Sequence, residues 1–140
     1  MTERLWLSAA LVLTGTCLFL VTRGVHLWNV RRRLGGPIPG NVPGLTAFRT
    51  GQPAVLYFSA EHCAPCRTIV KPALQRLVAE LGNRFQVLEI DAELQPEAVR
   101  YWQVLSLPTV FVLDPQGKPQ RVHYGIVSKE ALRAELSAWL

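Results

Sequence analysis

The sequence predicts an α/β layer sandwich preceded by an N-terminal membrane anchor, and three observations support this prediction. From residue 54 to the C-terminus, apolar runs of strand type alternate with apolar residues at helical spacing. A stretch rich in Gly and Pro precedes this part of the chain, and an uncharged apolar run precedes that stretch. The 140 residues therefore have room for one modest domain and a short extension.

Residues 5–21, from Leu5 to Val21, carry no charged side chain and predict one membrane-spanning helix. A cleaved signal peptide is the alternative, but Arg4 is the only basic side chain before the run, and no small-residue cleavage site follows it. Cys17 is poorly placed for lipoprotein processing because four more apolar residues follow it. We therefore expect residues 1–33 to remain as a single-pass anchor.

Basic side chains indicate which face of the membrane the domain occupies. Arg23, Arg31, Arg32 and Arg33 follow the apolar run, whereas Arg4 alone precedes it. A basic flank tends to stay in the cytoplasm, so the cytoplasmic face is favoured for the domain. The alternative is a domain outside the cytoplasm.

The net charge of +5 does not indicate nucleic-acid binding. Residues 1–40 contain five Arg and one Glu, whereas residues 41–140 contain ten Lys or Arg and nine acidic residues. The domain is therefore nearly neutral, and its sequence has no basic stripe interleaved with aromatic residues. We expect no nucleic-acid partner.

Gly and Pro dominate residues 34–44, which predicts an extended linker and leaves residues 45–140 for the domain. Residues 54–59 have the apolar, aromatic and branched side chains of a buried strand. Residues 67–81 then carry apolar side chains, Ile69 among them, at helical spacing. Pro72 should kink this helix.

The later elements complete the alternation. Further strands are predicted at residues 85–90, 109–113 and 120–124. A short helix is predicted from Gln95, with Val99, Tyr101 or Trp102 facing inward. Ser128 is expected to cap a final helix.

Two cysteines stand where the first strand gives way to the first helix. Unpaired N–H groups and the positive end of the helix dipole favour a thiolate at Cys63, and Cys66, one turn further on, should be more shielded. A zinc site is the alternative, but it needs two further ligands, and His26 and His123 show no paired spacing. The pair therefore predicts a redox-active disulfide, with no metal and no other cofactor.

Four features, in order and at matching spacing, carry a resemblance to the thioredoxin family over most of residues 54–140. They are the segment from Phe58 to Cys66 with Ala64-Pro65 between the cysteines, Asp91 at the end of a strand, Leu107-Pro108-Thr109, and Gly125 before the last helix. The third feature resembles the Ile-Pro-Thr whose proline is cis in these folds. The resemblance implies a three-layer α/β sandwich, shortened at its N-terminus because only about ten residues separate the linker from residue 54.

The resemblance also implies thiol–disulfide exchange, with Cys63 as the attacking thiolate and Cys66 as the resolving thiol. The proline loop would face the dithiol and offer backbone groups to an extended substrate strand. The residues expected to bind substrate or support the site are Pro108, Leu107, Thr109, Ala64, Pro65, His62 and Gly125. Protein disulfides are the expected substrates and an upstream thiol is the expected reductant, in a monomeric protein of cell redox homeostasis.

Some positions depart from the family pattern. Tyr57 replaces the buried Asp found six residues before the first cysteine, and Val87 replaces its Lys, so the usual proton acceptor is missing. Tyr57 is expected in the core. His62 stands where a Trp is usual, and it either favours the Cys63 thiolate when protonated or merely fills an exposed position. Glu61 could relay protons, although an acid near a helix start is more often plain surface.

The dipeptide between the cysteines bears on the direction of reaction. Oxidising relatives commonly carry a His there, whereas Ala64-Pro65 favours reduction. The sequence therefore predicts a membrane-tethered protein-disulfide reductase. The alternatives are an extracytoplasmic oxidase or isomerase and a non-enzymatic interaction module, and the two intact cysteines disfavour the latter.

Overall fold

The computed structural model describes residues 2–34 and 41–140, which lie in two compact units. The first unit is one helix, α1 (Thr2–Leu34). Within it, Ser8–Val25 has a mean hydropathy of 1.6 and the length to cross a membrane, as a membrane anchor or a signal sequence would. Most of the predicted linker and the side chains of Arg31, Arg32 and Arg33 lie outside what the structure describes.

The second unit is a mixed α/β domain. Its elements in chain order are β1 (Ala54–Ser59), α2 (Lys71–Leu81), β2 (Gln86–Asp91), α3 (Pro96–Tyr101), β3 (Thr109–Leu113), β4 (Pro119–Tyr124) and α4 (Lys129–Leu136). Residues 41–53 form turns without a strand or helix, in agreement with the predicted shortening. The strand order is β2-β1-β3-β4, with β1 parallel to β2 and antiparallel to β3. β2 is therefore an edge strand of the sheet formed by residues 41–140.

The side chains of β1 alternate between two cores, one on each face of the sheet. On one face, Val55 and Tyr57 pack with α2 and α4, for example against Leu77. On the other face, Leu56 and Phe58 pack with α3 and with the segment that precedes β1. Every residue of β1 is buried. The sheet is thus the middle of three layers, which confirms the predicted sandwich.

Residues 42–44, which their composition assigns to the linker, pack against the α3 side of the domain. Val42 is buried, and the indole Nε1 of Trp102 donates to the Pro43 carbonyl at 2.8 Å. Gly44 has a φ of +88°, and a Cβ there would lie 3.3 Å from Cδ1 of Ile90. Only glycine combines this conformation with so close an approach. The chain is already part of the packed domain at Val42.

The helix that follows the cysteines begins irregularly. Cys66–Val70 forms a π turn, in which the Lys71 N–H donates to the Cys66 carbonyl, and α2 follows directly. Pro72 lacks an N–H, and its ring would clash with the preceding turn of a regular α-helix, so the predicted kink takes the form of this π turn. Ile69, one of the apolar residues at helical spacing, is 43% exposed because it lies at the edge of the buried face that contains Val70 and Leu77.

The predictions for the later helices and strands of the domain hold with small corrections. Trp102 is buried as expected, but Tyr101 is 52% exposed, and its ring contacts the ring of Trp102 edge-on. The reason is that α3 is a six-residue helix and buries one narrow face, centred on Ala98. Strand β2 begins at Gln86 and β4 at Pro119, each within one residue of expectation. The Ser128 side chain accepts from the Ala131 N–H at 3.2 Å and caps α4 as predicted.

Candidate active site

Cys63 and Cys66 form a disulfide at the junction between β1 and the helix. The chain leaves β1 at Ser59 and turns through a hydrogen bond from the Cys63 N–H to the Ala60 carbonyl at 3.1 Å. The Cys63 carbonyl then accepts from the Arg67 N–H at 3.3 Å, so Cys63 is the residue from which the helix starts. Free N–H groups of the first turn and the helix dipole both favour a thiolate at this position.

The two sulfur-bearing residues differ in exposure. Cys66 is fully buried in the core between the sheet, α2 and α4, whereas Cys63 is only partly buried. Cys63 can therefore meet a partner molecule, whereas Cys66 can be reached only from Cys63 or from within the protein. This asymmetry suits an exchange in which one thiol attacks and the other resolves.

The proline loop ends beside the same core. The Leu107–Pro108 peptide bond is cis, and Leu107 packs against the same cluster as Cys63. Pro108 is buried and its carbonyl accepts from the Gly125 N–H at 2.8 Å, which joins this loop to the end of β4. Thr109 is fully buried, and its Oγ1 donates to the Ser106 carbonyl at 2.7 Å. The loop is therefore fixed at both ends.

Three more predicted residues flank the disulfide. His62 and Ala64 are exposed, and Pro65 precedes the π turn. Proline is well suited to the start of a helix, because the N–H it lacks would have no helical partner there. The Ala64 carbonyl accepts from Oγ1 of Thr68 at 2.8 Å, which strengthens this first turn. His62 lies on the exposed surface next to Cys63.

A polar network behind Cys66 is the main feature that the sequence did not predict. The Tyr57 hydroxyl donates to the Cys66 carbonyl at 2.9 Å, inside the protein. Tyr57 lies directly opposite Glu89 in the β1–β2 register. Glu89 accepts from Ser59 Oγ at 3.2 Å and pairs with Lys71 Nζ, also at 3.2 Å. The sequence of β2 contains a signal that could have drawn attention to Glu89, because an acidic residue lies there between the apolar residues of a short strand.

Burial and the negative charge of Glu89 raise the pKa of Tyr57 to about 12, and a hydrogen bond with Ser59 partly offsets the rise. The phenol therefore remains a neutral donor at physiological pH. It cannot accept a proton as a carboxylate in the same position would. In residues 2–34 and 41–140, no group of three or more His, Cys, Asp or Glu side chains is arranged to hold a metal ion.

Known proteins resemble this chain in sequence and in fold. A family model described as Thioredoxin matches residues 46–138. A thioredoxin of Mycobacterium bovis is 34% identical over 88 residues, which cover 63% of this chain and 74% of that protein. A bifunctional thioredoxin reductase/thioredoxin of Mycobacterium leprae is also 34% identical over 88 residues, but these span 19% of its length. The solved structure of thioredoxin-2, a component of malaria parasite protein secretion machinery, is similar with a TM-score of 0.58 and 26% identity, over 62% of this chain and 82% of that one.

Proposed function

Because this chain belongs to the thioredoxin family of thiol–disulfide oxidoreductases, we propose that it reduces protein disulfides at Cys63 and Cys66 while tethered to a membrane. The observation that carries the proposal is the unequal exposure of the two sulfur-bearing residues, one accessible at a helix start and one fully buried. An accessible thiolate and a shielded second thiol are what a two-step exchange requires.

The reaction begins with both thiols reduced. The Cys63 thiolate attacks a substrate disulfide, forms a mixed disulfide and releases the first substrate sulfur as a thiolate. The Cys66 thiol then loses its proton and attacks Cys63 Sγ, which breaks the bond to the substrate and leaves the Cys63–Cys66 disulfide found here. Two electrons have passed to the substrate. An upstream thiol reductant returns them by the reverse exchange.

The loop around Pro108 supports this exchange. The backbone of Leu107, which is partly exposed, offers an extended substrate strand hydrogen-bonding partners beside Cys63, and buried Thr109 supports the loop from within the sheet. The bond between the Gly125 N–H and the Pro108 carbonyl holds the loop in place. Ala64 and Pro65 complete the first helical turn, and exposed His62 borders the surface where substrate arrives.

Helix α1 supplies the tether. Its segment Ser8–Val25 has the length and hydropathy of a membrane span, and the Arg residues at 31–33 favour a domain on the cytoplasmic face. On that face the cytoplasmic thiol pool can supply electrons. A tethered reductase would act on disulfides close to the membrane, as part of cell redox homeostasis.

The activity is tested with the full chain in detergent, in a Cys17→Ser background that removes the third thiol. We expect reduction of insulin disulfides with a dithiol reductant, loss of that activity in Cys63→Ser, and accumulation of a mixed disulfide in Cys66→Ser. Activity that survives Cys63→Ser would refute the proposal. The same background with both active-site cysteines intact is the matched control.

Topology is tested separately. In intact cells, Cys63 of a cytoplasmic domain stays unlabelled by a membrane-impermeant maleimide until the membrane is permeabilised. Labelling of intact cells would instead place the domain outside the cytoplasm and favour an oxidase or isomerase. Release of the domain into the soluble fraction, with loss of residues before 34, would show that the helix is a cleaved leader.

A further inference from the structure

Strand β2 has an outer edge that no strand of residues 41–140 covers. Its inner edge pairs with β1 in regular parallel register along its whole length. The Gln86 N–H donates to the Pro53 carbonyl at 3.0 Å, on the side of β1. Because main-chain groups alternate in direction along a strand, the N–H and C=O groups of Val87 and Glu89 point the other way. These groups are therefore directed at the uncovered edge.

The two edge strands of the sheet differ in how they are protected. Natural edge strands are blunted by Pro, by bulges, by charged side chains or by a covering segment. Strand β4 begins with Pro119, and its register with β3 is shifted between Val112 and Leu113. Strand β2 has neither a Pro nor a shift in register, and its exposed acid, Glu89, is paired with Lys71. β2 is therefore the edge that can accept another strand.

A cleft of about 230 Å³ lies beside this edge, between β2 and α2. The apolar residues that line the cleft are Tyr57, Leu74, Val78 and Val87. Lys71 and Glu89 add charged groups, and their side chains are 47% and 44% exposed. Val78 is apolar and yet 43% exposed. The cleft can therefore receive a large apolar side chain from a strand that pairs with β2.

The residues of β2 indicate which side chains such a strand would carry. Alternate side chains of an added strand lie on the face of the cleft. The side chain opposite Val87 would lie over the apolar lining, and the one opposite Glu89 would meet a half-exposed carboxylate. Opposite charges across a pair of strands are stabilising. The edge therefore fits an extended segment with a large apolar and a basic side chain two residues apart.

The same edge leads to the redox site. Strand β2 ends at Asp91, which lies opposite Ser59 at the end of β1. The Ala92 N–H donates to the Ser59 carbonyl at 2.8 Å, and Cys63 follows Ser59 after a short turn. A segment that lies along β2 can therefore continue past Asp91 to the surface where Cys63 is partly exposed.

We propose that the outer edge of β2 is a second binding site for the protein substrate, which adds an extended segment as a strand there while its disulfide reacts at Cys63. The segment places a large apolar side chain opposite Val87 and a basic side chain opposite Glu89. Two contacts with one substrate raise the local concentration of its disulfide at Cys63. This inference rests on the proposed exchange at Cys63 and Cys66, because it concerns how the substrate of that reaction is held.

The test compares two peptides that react at Cys63. Each carries a cysteine in mixed disulfide with nitrothiobenzoate, and exchange with the reduced full chain in detergent, in the Cys17→Ser background, releases the coloured thiolate. One peptide ends in a flexible Gly-Ser linker of about six residues. The other continues from the linker into the segment Thr-Phe-Thr-Lys-Thr, which is made in both orders. We expect the segment, in one order, to raise the second-order rate constant about tenfold or more, a modest share of what linked contacts supply.

Variants locate the gain, which is taken in each as the ratio of the two rate constants. Val87→Pro removes an outward N–H, a change that an edge strand tolerates, and should abolish the gain. Val87→Ala keeps the N–H and should retain more of the gain. Val78→Asp places a charge in the apolar lining and should abolish the gain. Val122→Asp is its matched control, because Val122 is 39% exposed on the other edge strand, and should keep the ratio of the parent.

Three outcomes would overturn the assignment to β2. The first is equal rate constants for the two peptides in the parent, in both orders of the segment. The second is a gain that survives Val87→Pro and Val78→Asp, or that Val122→Asp also abolishes. The third is a parent that sediments as a dimer and becomes a monomer in Val87→Pro, since the edge would then pair with a second copy.

Failure of the exchange itself would look different. The peptide with the linker alone would then release no thiolate from the parent chain, or would still release it from Cys63→Ser. Loss of the gain with normal release from that peptide is specific to the edge of β2.

Discussion

The buried face of the helix behind the active site can be tested with two matched truncations, Leu77→Ala and Ile69→Ala. Both residues belong to the apolar pattern at helical spacing. In the structure Leu77 is fully buried and Ile69 is 43% exposed, because Ile69 lies at the edge of the face that packs in the core. Truncation should therefore have very different effects at the two positions.

Removal of a fully buried Leu side chain leaves a cavity and costs about 2–5 kcal/mol, so we expect Leu77→Ala to lower the free energy of unfolding by about 3 kcal/mol. Ile69 is already near half-exposed in the folded chain, and its truncation should cost under about 1 kcal/mol. The total free energy of unfolding of a domain of this size is roughly 5–15 kcal/mol, so the loss in Leu77→Ala is large and the loss in Ile69→Ala is small.

Urea denaturation of the full chain in detergent measures both values. Near-ultraviolet circular dichroism is a suitable signal, since it reports packed aromatic rings such as Phe58 and Phe111. The dependence of the free energy of unfolding on urea concentration should be the same in the variants and the parent, so that a shift of the midpoint reports a change in stability. Equal losses in the two variants would refute this placement and mean that Ile69 is buried as Leu77 is.

Three further predictions concern polar groups. Tyr57→Phe should lower the free energy of unfolding, measured by urea denaturation, by about 1 kcal/mol, which is the ordinary contribution of one hydrogen bond. The loss is small because the Cys66 carbonyl keeps its hydrogen bond from the Lys71 N–H. A loss above about 3 kcal/mol would contradict this. Ser128→Ala should cost about 1 kcal/mol through loss of the α4 cap, whereas Ser137→Ala, beyond that helix, should cost less. The pKa of Tyr57 is raised from 10.0 to about 12, so the folded state holds this proton more tightly. The stabilisation of the folded state by this proton is fully present below pH 10. As pH rises towards 12, the free energy of unfolding should fall by about 2–3 kcal/mol for this reason. Tyr57→Phe should not show this fall.

Local patterns were sufficient to predict most of the fold. The strand at Thr109–Leu113 and the cap at Ser128 have direct signals, a branched apolar run and a polar residue before an amphipathic helix. The disulfide of Cys63 and Cys66 likewise follows from spacing at a strand–helix junction. These features depend on neighbours in sequence, which is why the sequence reveals them.

Features that depend on distant neighbours were missed. Tyr57 and Glu89 are 32 positions apart in the sequence, and only the pairing of β1 with β2 brings them side by side. The exposure of Ile69 depends on which part of the helix surface packs in the core, which spacing alone does not express. The burial of Val42 in residues of linker composition depends on contacts with the α3 core.

The short segment before β1 links the topology of this domain to its chemistry. Residues 41–53 form no strand, so nothing in the described domain pairs with the outer edge of β2. An acid on an inner strand would be enclosed, and its charge would be costly to bury. On this edge strand, Glu89 remains half-exposed and paired with Lys71 while standing beside Tyr57. A shortened N-terminus thus leaves a carboxylate at the edge of the sheet, next to the core that contains Cys66.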